Sequence, residues 1–472
     1  MTNEDDQSLE RGPVSSPAEE QQLKDPYRLD PKDVTTPPRS LGNVLGYLGP
    51  GLITAAGIVG SGELIATTVL GAENGYLLLW LILVSCPVKI FVLHEIGRYT
   101  IATGETSLEA LNRVPGPRFR VSWVVWVYGL LILCSLFPQG GMLGAISEIL
   151  HTTFPAIPLT GWLWAVAVLT FFLLVGGRYG PVEKIALGLI VAFTTLTVGC
   201  AIVLLKSPEY FSWSRVLEGL SFSLPQGGGF GMAVTVFGIT GAGSMDLIQY
   251  PYWCIEKGYA RFTGPREATA AWTNRAFGWI RVMSADVFVS LILYTFPTIA
   301  FYLLGAGILP AVGVVPKGTE MVGMLSKMFT EILGGWSFYL FMLGAFAVLY
   351  STVFAGSGAM ARGTADLLAN IGVFDKRDYR SRLRAIRILI GVFLFVPALF
   401  FMFVREPVLM VKIGGIAQAS MLPVIAISTI YLRYRHVPKA VLPKGWITLA
   451  LWVTTAIIVV MMSYSLIIRH LL

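Results

Sequence analysis

Long apolar segments separated by short polar ones run through almost the whole chain. A window of about 19 residues finds eleven of them, at 46–70, 75–96, 121–149, 157–176, 183–205, 230–255, 282–309, 332–357, 386–403, 407–432 and 445–469. A helix needs roughly 20 apolar residues to cross a bilayer, and none of these segments alternates as a barrel strand does. The pattern therefore predicts an all-α integral membrane protein with about 11 transmembrane helices.

Composition supports this interpretation. Hydrophobic residues make up 55% of the chain and charged residues only 13%, which is more apolar surface than one soluble core can bury. The lipid bilayer is therefore the first predicted partner.

The loops between the apolar segments differ in charge. On one face they read GRYTIATGETSLEALNRVPGPRFR, GGRYGPVEK, EKGYARFTGPREATAAWTNR, DKRDYRSRLRAIR and YLRYRHVPKAVLPKG, whereas HTTFPAIPLTG on the other face has no lysine or arginine. Basic loops stay in the cytoplasm. We therefore predict a cytoplasmic N-terminus, a C-terminus outside, and a location in the cell (inner) membrane.

The N-terminal region has a different composition. Its first 40 residues are polar and proline-rich, with nine acids against five bases, and no basic segment leads into an apolar core as in a signal peptide. We predict that residues 1–44 form a disordered cytoplasmic tail.

Two of the apolar segments carry glycine-rich interruptions that each end in an acid. The first is GIVGSGELIATT at 57–68 and the second is GITGAGSMDLIQYPYW at 238–253, five segments later. Paired interruptions of this kind are typical of inverted-repeat transporters of the LeuT type. We predict a five-plus-five inverted repeat, with repeats at 45–205 and 206–432, an added helix at 433–472, and mid-membrane breaks in the first and sixth helices.

A broken helix exposes carbonyl groups that suit a cation and N–H groups that suit an anion. Glu63 and Asp246, with the Met245 sulfur and the carbonyls of Gly60 and Ala242, are candidate ligands of a divalent cation. The alternative is that both acids only cap the half-helices.

Two lysines also fall in apolar segments. Lys89 lies in CPVKIFVLHE and Lys412 in LMVKIGGIAQAS, and a buried ammonium needs a partner. Either could pair with Glu63 or Asp246 in place of a coupling cation, or extend toward the membrane surface.

The chain resembles the Nramp (natural resistance-associated macrophage protein) family of divalent-metal transporters. The resemblance is carried by GPGLITAAGIVGSGELIATTVLGAENGYLLLW at 49–80, IATG at 101–104, GITGAGSM at 238–245 and LYSTVFAGSGAMARG at 349–363. It extends over most of residues 45–435 and implies a secondary transporter of a divalent cation that works by alternating access.

The chain departs from the family at the site itself. The family motif Asp-Pro-Gly-Asn is replaced by Gly60, Ser61, Gly62 and Glu63, and Met-Pro-His is replaced by Met245, Asp246 and Leu247. Family acids of the third span are absent from LFPQGGMLGA, where Pro138 and Gly141 occupy their places. The resemblance thus implies transport of a hard ion such as Mg²⁺, or Mn²⁺ through Met245, without the usual proton coupling.

Two other functions remain open from the sequence. Gly60–Ser61–Gly62 also resembles the motif with which amino-acid and polyamine transporters bind a substrate carboxylate, so the cargo could be a small organic solute, or the protein could bind without transporting. No nucleophile–base pair or phosphate loop is present, so we expect no enzyme, no cofactor and no nucleic-acid partner. The oligomeric state is not determined by the sequence.

Overall fold

The computed structural model describes residues 25–176, 179–223, 229–443 and 445–471. In this part of the chain eleven helical spans are present, which we number 1 to 11. Eight helical runs, one of them a 54-residue run containing spans 1 and 2, are long and apolar enough to cross a membrane, and spans 4 and 5 contain shorter apolar helices. The predicted all-α membrane fold is confirmed.

The spans have the following bounds. Span 1 comprises Pro50–Ile58, Val59–Thr67 and Thr68–Asn74; span 2 comprises Gly75–Leu78, Leu79–Val88 and Ile90–Thr103. Spans 3, 4 and 5 are Trp123–Thr153, Leu159–Val175 and Tyr179–Leu204. Span 6 is Gly229–Ile239 followed by Ser244–Lys257, and spans 7 to 11 are Ala270–Ile308, Ser337–Asn370, Tyr379–Val404, Pro407–Arg435 and Gly445–Leu471.

Short elements connect the spans. The helical ones are Pro31–Asp33, Leu41–Leu45, Ser107–Leu111, Trp213–Glu218, Tyr259–Thr263, Gly318–Glu320, Met321–Leu325, Lys327–Leu333 and Lys439–Val441. Between spans 2 and 3 the strands Arg118–Phe119 and Val121–Ser122 pair in an antiparallel register. These elements leave the helical character of the fold unchanged.

Span 1 is interrupted by a change of helix type. Val59–Thr67 forms a π-helix between two α-helical ends, and the hydroxyls of Thr67 and Thr68 donate to the carbonyls of Gly62 and Glu63, each five residues earlier. π-Helical turns inside α-helices occur frequently at functional sites. The predicted interruption at Gly60–Glu63 thus takes the form of a wider helix, and its backbone stays hydrogen-bonded.

Span 6 has an open break, as predicted. Its first half ends at Ile239 and its second begins at Ser244. Within the break, Gly241 has a φ of 66°, and a Cβ there would lie 3.1 Å from the Cα of Cys86 on span 2. Only glycine accepts both this conformation and this contact readily, so the break is held against span 2.

Small residues bring the spans around the break close together. A Cβ on Gly238 would meet the backbone of span 10 at Gly415 and Ala419, and one on Gly60 would overlap Thr352 of span 8. Close approach through small residues is a common way for membrane helices to pack. Spans 1, 6, 8 and 10 consequently surround one region near the middle of the bundle.

The N-terminal segment is more ordered than its composition predicts. Residues 25–44, predicted as part of a disordered tail, pack against the helices. The Arg382 guanidinium lies 4.3 Å from the centre of the Tyr27 ring, and the Tyr27 hydroxyl donates to Glu256 over 3.2 Å. Composition suggested disorder because the segment has few apolar residues, and it is instead held by polar and aromatic contacts with the bundle.

Backbone hydrogen bonds extend the attachment. The N–H of Thr35 donates to the carbonyl of Phe262, and the Trp279 indole donates to the carbonyl of Thr35, both over 3.0 Å. Residues 25–40 therefore form a strap across the ends of spans 6, 7 and 9. The rest of the predicted tail, residues 1–24, lies outside the described residues.

Candidate functional site

A small polar cavity of about 100 Å³ lies where spans 1, 3, 6, 8 and 10 meet. A water molecule takes up roughly 30 Å³ in the liquid, so the cavity has room for an ion with a few waters. Its polar and sulfur-bearing lining residues are Thr54, Ser135, Gln139, Met142, Met245, Asp246, Gln249, Thr352, Met360 and Gln418.

Asp246 and Met245 reach this cavity from the start of the second half of span 6. Asp246 Oδ2 accepts a hydrogen bond from the N–H of Gly243 over 2.9 Å, which completes the first turn of that helix. The N–H of Met245 donates to Gln418 Oε1 of span 10 over 3.3 Å. Asp246 therefore caps the half-helix and lines the cavity, so the two roles considered for it from the sequence are compatible.

Glu63 lies elsewhere. Its side chain is fully buried, Thr298 of span 7 donates to its Oε1 over 2.9 Å, and its Oε2 has no hydrogen-bond partner among the described residues. It is not among the residues lining the cavity. The expectation that Glu63 and Asp246 share one pocket is corrected: Glu63 accepts a hydrogen bond from Thr298 of span 7 and does not line the cavity.

The other predicted residues of the breaks are packed rather than exposed. Gly60 abuts Thr352, Gly62 abuts the backbone of Ile239 and Thr240, and Ala242 is fully buried. None of these three glycine and alanine residues lines the cavity, whereas Ile53, Thr54, Gly57 and Ile58 of span 1 do. Ser61 belongs to the π-helix, and its side chain lies outside the described part of the chain.

The two lysines differ in position. Lys89 is fully buried and donates from Nζ to the carbonyls of Phe237 and Thr240, at the end of the first half of span 6. Lys412 instead lies beside Gly231, near the start of that half. Lys89 is thus at the break, as one alternative predicted, and Lys412 is not.

Three glutamines that line the cavity are not among the residues predicted from the sequence. Gln139 donates to the carbonyl of Val353 and to the Ser357 hydroxyl, which leaves its amide oxygen as an acceptor. Gln249 and Gln418 complete the set. The only sequence signal is a polar side chain inside an apolar segment, as in LFPQGGMLGA. Among the described residues no three His, Cys, Asp or Glu side chains come together, so these amides supply much of the available oxygen.

A larger cavity of about 690 Å³ adjoins the first. The two share Ile53, Trp253 and Ala355 as lining residues. Near its rim, Arg362 forms an ion pair with Glu256 over 2.6 Å. This larger cavity lies on the side of the bundle that holds the start of span 1, which is the predicted cytoplasmic side.

Interrupted first and sixth spans around a central polar cavity define the class of LeuT-fold membrane transporters. Family comparison agrees: the family described as natural resistance-associated macrophage protein-like matches residues 51–468. The chain belongs to the Nramp family.

Curated relatives and solved structures support this assignment. The chain is 29% identical over 229 residues to a protein named divalent metal cation transporter MntH from Deinococcus radiodurans, covering 48% of this chain and 49% of that one. It therefore spans about half the length of that relative. A protein of the same name from Caldanaerobacter subterraneus subsp. tengcongensis is 25% identical over 307 residues, covering 64% of this chain and 67% of the relative.

Structural similarity extends over more of the chain. A solved structure of the Eremococcus coleocola manganese transporter, in complex with an aromatic bis-isothiourea substituted compound, has a TM-score of 0.65 at 16% identity and covers 93% of this chain and 90% of that one. MhsT in complex with L-phenylalanine has a TM-score of 0.56 at 14% identity, with 91% and 99% covered. At these identities the likeness shows the shared fold.

Proposed function

We propose that the protein is a secondary transporter that moves a divalent metal cation of the Mn²⁺ or Mg²⁺ class by alternating access. The observation that carries this proposal is the placement of Asp246 and Met245 together at the small central cavity. Two relatives that carry the name of divalent metal cation transporter support the cargo class. The central cavity is the cargo site in this proposal.

The donor set suits such an ion. The Asp246 carboxylate and the amide oxygens of Gln139 and Gln418 are hard ligands of the kind that Mg²⁺ and Mn²⁺ accept, and the Met245 sulfur favours the softer Mn²⁺. Mg²⁺ usually keeps several waters, which the volume of the cavity allows. A transported ion must also leave, so a site with a single carboxylate fits release better than a closed cage.

The two cavities together provide a route for the ion between the cargo site and the predicted cytoplasmic side. The larger cavity shares Ile53, Trp253 and Ala355 with the cargo site, so these side chains separate the ion from the predicted cytoplasmic side. Alternating access requires that this separation opens while the opposite side stays closed, usually by movement of one repeat against the other. Trp253, in the second half of the interrupted span 6, is placed to move with it.

Transport proceeds in this proposal without the family's usual proton coupling. Pro138 and Gly141 stand in span 3 where family members carry acids, and Leu247 stands where they carry a histidine. Glu63 remains as a buried carboxylate near the centre, but it faces Thr298 rather than the cargo site.

An organic solute is the weaker alternative. Pockets for drug-sized ligands usually measure about 300–1,000 Å³, and the central cavity measures about 100 Å³. The cavity therefore has room for an ion with a few waters and excludes solutes of drug size.

The test is divalent-ion binding to the purified protein, followed by uptake into proteoliposomes. We expect Mn²⁺ and Mg²⁺ to raise the melting temperature, Asp246→Asn to weaken binding about tenfold or more, equivalent to about 1.4 kcal/mol, and Met245→Leu to weaken Mn²⁺ more than Mg²⁺. Glu218→Gln, an exposed acid outside the cavity, is the matched control. Absence of binding and of uptake at millimolar ion, with folded protein, would refute the proposal.

A further inference from the structure

Lys89 is placed by a break in span 2. The helix Leu79–Val88 contains Pro87, and a second helix, Ile90–Thr103, begins after Lys89. Proline removes one backbone hydrogen bond and disturbs the preceding turn, and Lys89 stands between the two helices with a backbone that stays right-handed helical (φ −85°, ψ −10°). The lysine side chain is fully buried and extends to the break in span 6.

The ammonium group binds main-chain oxygens. Lys89 Nζ donates to the carbonyl of Phe237 over 2.7 Å and also to the carbonyl of Thr240. Because the helix stops at Ile239, these carbonyls have no partner in a following helical turn. The end of a helix carries partial negative charge, so the two oxygens form half of a cation site.

Negative groups lie around the same ammonium. The carboxylates of Asp246 and Glu63 are both close enough to interact with Lys89 electrostatically. Glu63 Oε2 is buried and has no hydrogen-bond partner among the described residues. Ser85, one helical turn before Lys89, donates to the carbonyl of Thr240 over 3.3 Å and fixes that oxygen in place.

We propose that Lys89 is a built-in cation that occupies a monovalent-cation site at the break of span 6. The site consists of the carbonyls of Phe237 and Thr240, with the charges of Glu63 and Asp246 nearby. Lys89 does not line the central cavity, so this site is separate from the cargo site. A cation that stays covalently attached stabilises the break in every step of the cycle, and no dissolved ion has to bind there.

The role of the lysine differs from simple charge neutralisation. If Lys89 only neutralised the nearby carboxylates, its loss could be compensated by removing their negative charge. If the carbonyl oxygens form a cation site, the site should bind a small dissolved cation once the lysine side chain is shortened. Na⁺, ammonium and methylammonium are suitable probes because they carry the same charge as the lost ammonium. Choline is too large for the space and serves as the control cation.

The experiment compares Lys89→Ala with Lys89→Met in the full chain. Alanine leaves space at the carbonyls, and methionine fills much of that space without charge. Melting temperatures are measured in chloride salts of the four cations at equal ionic strength. We expect Lys89→Ala to gain several degrees in Na⁺, ammonium or methylammonium relative to choline, with a rise that follows the logarithm of cation concentration, while wild type and Lys89→Met do not respond.

The proposal would be overturned if folded Lys89→Ala had the same melting temperature in the small cations as in choline. An equal rise in melting temperature for Lys89→Met would also overturn it. If Lys89→Ala cannot be purified in choline, its recovery in methylammonium supports the proposal. If no cation recovers it, Lys89→Ser, whose hydroxyl adds an oxygen ligand, is measured in the same way, and absence of a cation response there overturns it. Because no divalent ion is present, these results do not depend on the proposed cargo.

Discussion

Asp286 of span 7 caps the first turn of span 1 at Gly51. Its Oδ2 lies 2.5 Å from the N–H nitrogen of Gly51, and its Oδ1 lies 3.0 Å from that of Gly49. The first N–H groups of a helix lack acceptors within the helix, and here the Asp286 carboxylate of a neighbouring span supplies the acceptor oxygens. The Tyr250 hydroxyl of span 6 donates to the same carboxylate over 3.2 Å, so one side chain joins spans 1, 6 and 7.

Loss of this cap should loosen the start of span 1. Asp286→Ala leaves buried N–H groups unsatisfied, which costs about 1–3 kcal/mol, and we expect a lower melting temperature and faster labelling of a cysteine placed at Leu52. Asp286→Asn retains an acceptor oxygen and should show a smaller effect on both measurements. Equal behaviour of the two variants would contradict the capping role.

The contact between spans 1 and 8 at Gly60 should not tolerate a methyl group. A Cβ there would overlap Thr352, whereas a Cβ on Gly57, one turn earlier, would meet nothing within 4 Å. Overpacking typically costs about 1–3 kcal/mol. We expect Gly60→Ala to lower the melting temperature of the detergent-solubilised protein and Gly57→Ala to leave it nearly unchanged; similar losses in both would show that the contact is not tight.

The hydroxyl of Thr298 should matter for the burial of Glu63. Thr298→Val removes the donor to Glu63 Oε1 and keeps the shape of the side chain, so a buried carboxylate loses a hydrogen bond worth about 1.5–3 kcal/mol. Thr298→Ser keeps the hydroxyl and is the control. In thermal unfolding, we expect a lower melting temperature for Thr298→Val than for Thr298→Ser. A valine variant as stable as wild type would mean that another group donates a hydrogen bond to Glu63.

The strap should detach when its aromatic anchor is removed. Tyr27→Ala abolishes both the contact with Arg382 and the hydrogen bond to Glu256. Hydrogen exchange at residues 28–38 should then become faster, while exchange in span 3 stays unchanged. Tyr339→Ala, at a side chain that is 73% exposed, is the matched control. No change in exchange would show that the backbone bonds of Thr35 hold the strap alone.

Most of the fold could be predicted from the sequence because each span is a long apolar segment and lipid leaves few other solutions for the backbone. The break in span 6 was predictable for the same reason, since Gly241 and Gly243 stand in an apolar segment next to Asp246. The π-helix of span 1 was not, because its hydrogen bonds depend on how spans 7 and 8 pack against it. Composition also could not reveal the strap, whose order comes from Tyr27 and Thr35 meeting distant residues.

The site was predictable only in part. Asp246 and Met245 were found because they directly follow a glycine-rich break. The direction of Glu63 depends on the helix type, because π-helical and α-helical turns rotate successive residues by different angles. The sequence indicates Lys89 as a buried charge, but its partners are backbone carbonyls 148 and 151 residues away in the chain. Every residue has a backbone carbonyl, so residue types do not indicate which of them a buried lysine contacts.

The wider turn of span 1 carries a consequence for its length. An α-helix turns by about 100° per residue. A π-helical turn accommodates one extra residue in nearly the same length of helix. Deleting one residue between Val59 and Thr67 would therefore allow ordinary α-geometry without much shortening of span 1, and it would change the direction of the side chains inside this stretch. The direction in which Glu63 points therefore depends on the number of residues in this π-helical stretch as well as on their identity.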